Sequence, residues 1–70
     1  MDLKLLDKKI RDSGIFRYAI CKAIGISRQE LWNKMHGKSK FSERQFSILA
    51  KTIGLHGYEV KEILHGEKLR

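Results

Sequence analysis

RYAICKAIGISRQELWNKMHG, running from Arg17 to Gly37, is the stretch on which the fold turns. Ile20, Cys21 and Ile24 share one face at helical spacing and predict a helix over about Arg17–Ile24. Gly25 ends it, because a glycine takes the left-handed conformation past a helix C-terminus without steric cost. Phe16 stands where a Ser or Thr cap would be ideal, so no side-chain cap marks the start. A second helix begins two residues after Gly25. Ser27 and Glu30 form an S-x-x-E capping box, Ile26 and Leu31 can staple its entry, and Leu31 and Met35 face a core.

The same grammar extends outward in both directions. Upstream, Leu3, Leu6 and Ile10 recur at helical spacing over about Asp2–Asp12, with Lys4, Lys8, Lys9 and Arg11 left to solvent, Asp2 as cap and Gly14 past the end. Downstream, Ser42 and Gln45 repeat the box and Phe41 with Phe46 the staple, before a stripe of Phe46, Leu49, Ala50 and Ile53. A last helix is expected over about Gly57–Leu64, with Val60, Ile63 and Leu64 inward, Leu55 as staple and His56 as a poor cap. Leu5 and Tyr58 lie off these stripes, and Gly66–Arg70 is expected to fray. The fold class expected is all-α: a compact bundle of five helices in a single domain over residues 1–70.

Composition narrows the chemistry. Seventy residues bury about 60% of what the unfolded chain exposes, so stability should be modest. No apolar run approaches the ~20 residues that span a bilayer, so no membrane partner is expected. The start of the chain lacks the continuous apolar segment that directs export, which makes a cytoplasmic location the expectation. Cys21 is the only cysteine, which excludes an internal disulfide or a thiolate cluster, and it reads as a small core hydrophobe. His36, His56 and His65 lack metal-ligand spacing, no nucleophile–base pair or phosphate loop is present, and Glu30 is explained by capping. Neither an enzyme nor a cofactor or metal is expected.

Fifteen Lys plus Arg against eight Asp plus Glu give a net charge of +7, the footprint of a nucleic-acid binder. The third helix supplies a face to match. At about 100° per residue, Gln29, Trp32, Asn33 and His36 fall together, away from Leu31 and Met35, and Arg28 lies between in the first turn. Gln and Asn forks match adenine and the Arg fork matches guanine in the major groove. Phosphate partners surround this face: Arg17 at the start of the second helix, Lys34 further round the third, and Lys38, Ser39 and Lys40 in the loop after Gly37. Trp32 has two open roles, covering the edge of the core or touching a thymine methyl or sugar. Arg28, Gln29, Lys38 and Lys40 have an ordinary solvated role as the alternative.

Residues 17–37 resemble the helix-turn-helix of phage Cro and repressor proteins. Gly25-Ile26-Ser27-Arg28 matches that family's turn, and a Gly-Lys loop follows the next helix. The segments from Phe41-Ser42 and from Gly54-Leu55 to Glu59-Val60 look like its fourth and fifth helices, so the resemblance covers nearly the whole chain. It implies a lambda-repressor-like bundle with helices two and three as the helix-turn-helix. It also places Ser27, Arg28, Gln29, Trp32 and Asn33 at base edges and nearby phosphates. Three residues depart from the pattern: Cys21 replaces a small alanine, Phe16 replaces the polar cap and phosphate ligand, and Trp32 is bulky for a groove-facing site. The function expected is a sequence-specific regulator of transcription, Cro-like or repressor-like, on a double-stranded DNA operator. A homodimer on a pseudo-palindromic site goes with it. The alternative is an antirepressor on the same fold that sequesters a partner regulator protein.

Overall fold

Helix caps divide the chain. In the computed structural model, which describes residues 1–65, five helices are present among the described residues: α1 (Leu3–Ser13), α2 (Arg17–Ile24), α3 (Arg28–Met35), α4 (Glu43–Ile53) and α5 (Gly57–His65). The expected fraying of Gly66–Arg70 lies outside the described residues. Asp2 caps α1 by accepting a bond from the Leu5 backbone N–H at 3.0 Å. Both predicted boxes form: the Ser27 and Ser42 hydroxyls accept from the N–H groups of Glu30 and Gln45, and those side chains accept in return from the two cap residues. Each box satisfies two donors that a helix start leaves without partners. The Phe41 and Phe46 rings of the staple lie 6.4 Å apart and tilted by 52°.

The start of α5 uses a device that the expectation of a poor cap overlooked. His56 supplies no side-chain oxygen, yet Glu59 reaches back and accepts from the His56 N–H at 3.0 Å, which is half of a capping box. The same carboxylate meets Lys9 of α1 at 2.7 Å, so one side chain both starts α5 and ties it to α1. At α2, as Phe16 implied, no side chain caps the helix.

All five helices reach one core. Leu6 and Ile10 of α1, Ile20 and Cys21 of α2, Leu31 of α3, Phe46 and Leu49 of α4 and Ile63 of α5 are buried together. α4 is the central post: it packs against α2 more extensively than any other pair, and also against α1. α5 closes on α1, where the Asp2 N–H also donates to the Ile63 carbonyl. The radius of gyration, 11.2 Å, matches the roughly 11 Å of a close-packed chain this long. Leu5, off the predicted stripe, packs partly against the core. Leu64 corrects the expected inward set of α5, because it is 39% exposed. Val60 and Ile63 fill the inward arc, and Leu64, about 100° beyond Ile63, falls on its rim.

α3 is held by its inner side. Leu31 is buried, Ile26 and Met35 pack against the core, and α3 packs on α2 across the turn Gly25–Ser27. Gly25 makes that turn at φ +85°, in the left-handed region, and its N–H donates to the Cys21 carbonyl at 2.8 Å. Open space surrounds the position where a side chain would start, so the backbone conformation alone selects glycine here. The Cys21 thiol is 3.7 Å from the Ser27 carbonyl and joins α2 to the first residue of the box. That contact explains how a cysteine serves where the two helices cross. Burial pushes its pKa above the ordinary 9.0, which keeps it a thiol.

Candidate nucleic-acid interface

The outward face of α3 is organised by two pairs at i, i+4 spacing. Gln29 Nε2 donates to Asn33 Oδ1 at 3.1 Å, and Trp32 and His36 stack with ring centroids 3.9 Å apart and planes 19° from parallel. His36 caps the C-terminus of α3, and its Nδ1 lies 2.8 Å from the Trp32 carbonyl oxygen. The stack therefore sits on a ring that the backbone already holds. Arg28 stands exposed in the first turn. Trp32 is 46% exposed where its neighbour Leu31 is 3% exposed, so Leu31 closes the core and Trp32 does not.

Five of the expected residues line one open cleft of about 620 Å³: Arg17, Arg28, Gln29, Trp32 and His36. Asn33 joins them through Gln29. Lys38 reaches the same place from the following loop, its Nζ 5.0 Å from the Trp32 ring centroid. Lys34 and Lys40 form a separate group at the junction of α3 and α4. Lys34 Nζ donates to the Lys40 carbonyl at 2.9 Å and lies 5.8 Å from the Phe41 ring centroid, so part of its donor capacity fixes the loop. Ser39 is exposed in that loop. Ser27 sits at the other end of α3 with its hydroxyl engaged in the box. The Glu30 carboxyl is held below its ordinary 4.5 by the Ser27 N–H, which keeps it a charged acceptor rather than a proton donor.

Asp7 was absent from the expected site, and the fold brings it there. Its carboxylate meets Arg17 at 2.7 Å and Arg11 at 3.2 Å. The Asp7–Arg11 pair is an ordinary i, i+4 spacing, legible in the sequence. Asp7 and Arg17 are ten residues apart on different helices, and only the turn between α1 and α2 and the packing of both helices on α4 bring them together. Arg17 thus reaches the cleft already shared with an acid on its wall.

This face can offer a guanidinium fork, two amides, an indole and an imidazole, with ammonium groups at its edge. Among the described residues no cluster of His, Cys, Asp and Glu fit for a metal ion is found, and no helix is long and apolar enough to cross a membrane. Comparison with protein-family models, with curated proteins and with solved structures gives no match for this chain, so its own residues carry the case for what it does.

Proposed function

We propose that the chain is a sequence-specific double-stranded DNA-binding regulator of transcription, in which α2 and α3 act as a helix-turn-helix and α3 enters the major groove. One observation carries the reading: α3 is anchored through Leu31 while its outward side presents two ordered pairs, Gln29 with Asn33 and Trp32 with His36, beside an exposed Arg28. Such an array suits base edges, because bidentate Gln, Asn and Arg groups discriminate bases by their donor and acceptor pattern. Arg17, Lys34, Lys38, Ser39 and Lys40 set register through phosphates and carry no sequence information themselves. The work is done by occupancy, in the cytoplasm, where the bound module blocks or recruits polymerase.

One module of this kind buries only about 600–1,000 Å² on DNA. Two copies on a pseudo-palindrome, with reading helices about 34 Å apart, supply the rest of the specificity. A sedimentation run that finds a monomer both alone and on its operator would remove the dimer from this proposal. A second reading, an antirepressor that captures a partner regulator, draws support from Phe16 and Tyr18, which expose 82% and 63% of their surface around the start of α2. Selection from a randomised duplex pool, followed by anisotropy titration at near-physiological salt, separates the two. A discrete motif preferred about 10³-fold or more over scrambled DNA supports the regulator. A flat pool with only salt-sensitive binding supports the antirepressor.

A further inference from the structure

We infer that Trp32 reads the C5-methyl group of a pyrimidine, thymine in ordinary DNA, as part of the DNA-reading face proposed above and dependent on that reading. Trp32 is the one large apolar side chain that α3 leaves exposed. An indole presents a broad apolar plane with a single N–H donor and no acceptor, so it has little to offer the nitrogen and oxygen atoms of base edges. The C5-methyl of thymine is the apolar feature of the major groove. The neighbours divide the work in the same sense: Arg28, Gln29 and Asn33 supply the polar forks, and Trp32 supplies the flat surface between them.

Its orientation is set before any ligand arrives. The His36 ring covers it at 3.9 Å, and that ring is itself held by its 2.8 Å contact to the Trp32 carbonyl. The Lys38 ammonium lies over the indole, 5.0 Å from its centroid, and is the group a phosphate beside the methyl-bearing base would meet. A side chain already ordered loses little rotational freedom on contact, so even one methyl group can register as discrimination. Leu31, 3% exposed, closes the core beneath α3, and the 46% of Trp32 left exposed is the surface a base can reach. Contact with a deoxyribose is the competing role, and it is blind to the methyl group.

The test uses the whole chain and the duplex recovered by pool selection. Each thymine is replaced singly by deoxyuridine, which removes the methyl and nothing else, and affinity is read by anisotropy. At least one position should lose about threefold to fivefold, the worth of one buried methyl-sized group. At that position Trp32→Ala should bind the two duplexes equally, Gln29→Ala should keep the difference, and Trp32→Phe should keep part of it. Cytosine in place of that thymine should regain affinity when it is 5-methylated. A flat deoxyuridine scan with the unaltered chain overturns the inference, and needs no variant to fold. Full discrimination by a folded Trp32→Ala chain overturns it too. A flat scan on a duplex bound with high preference removes the methyl reading alone. A pool without a preferred duplex removes the DNA reading and this inference together.

Discussion

Replacing Asp7 by Asn should tighten DNA binding, although it breaks an ion pair. The Asp7–Arg17 contact is short, 2.7 Å, but the two side chains remain 38% and 42% exposed. Pairs this open contribute about 0.2–1 kcal/mol, so the carboxylate restrains Arg17 by no more than that. Release of the restraint should raise affinity by about 1.5-fold to fivefold at fixed salt. A second effect has a separate signature. With Asp7 gone, Arg17 neutralises its phosphate in full rather than in part, and the slope of log K against log[salt] should steepen by a fraction of about 0.9. Folding stability should fall by at most about 2 kcal/mol, since Arg11 and Arg17 each lose only a surface partner. The assay is anisotropy titration at several salt concentrations with the unaltered chain, Asp7→Asn, Arg17→Ala and the double variant. Arg17→Ala should weaken binding and flatten the slope, and the gain from Asp7→Asn should vanish in the double variant. Equal or weaker binding by Asp7→Asn with an unchanged slope refutes the reasoning. A gain that survives in the Arg17→Ala background also refutes it, because Asp7 would then act without Arg17.

Gln29→Ala and Asn33→Ala should each relax preference at particular base pairs, costing about 1–3 kcal/mol there. Their mutual hydrogen bond predicts that the double variant departs from additivity, which a double-mutant cycle on matched and mismatched duplexes measures. Lys38→Ala should instead weaken all sequences alike and lower the salt slope by about one. The Cys21 thiol, buried and raised above 9.0, should resist a thiol reagent at pH 8 and react freely once denaturant unfolds the chain; labelling of the native chain at the rate of a free thiol would contradict its placement. The Glu59 carboxyl is held below its ordinary 4.5, first by the His56 N–H and then by Lys9. A depressed folded pKa means that its contribution is present above about pH 4.5 and lost as pH falls through the folded value. Thermal melts should therefore shift down on acidification, and Glu59→Gln should flatten the shift.

What was legible in the sequence was local. Ser27 with Glu30 and Ser42 with Gln45 announced two helix starts because capping is a matter of residues three apart, and both form as read. The stripes containing Leu6, Ile10, Phe46 and Leu49 were legible for the same reason: one period places them on one face, and that face is buried. Leu64 shows where such reading ends. It is a leucine one step beyond Ile63, and only the position of the neighbouring helices decides that the arc closes at Ile63. On α3, the spacing of Gln29, Trp32, Asn33 and His36 foretold a shared face but not its pairing into an amide bond and a ring stack, which depends on rotamers. The Asp7–Arg17 and Glu59–Lys9 pairs were missed because each joins two helices, and no period within one helix encodes such a contact; the Glu59 half-box to His56 is local, and was missed because His56 itself offers no capping oxygen.

Entry of α3 into the major groove is tested most directly by mapping the duplex onto the chain. Backbone amide shifts of the labelled protein, followed as the selected duplex is titrated in, report which face it covers. The largest changes are expected from Arg28 through Lys38 and around Arg17, with the α4–α5 side near Ser47 and Leu64 nearly still. Changes centred on α4 and α5, with α3 unmoved, would contradict groove entry by α3.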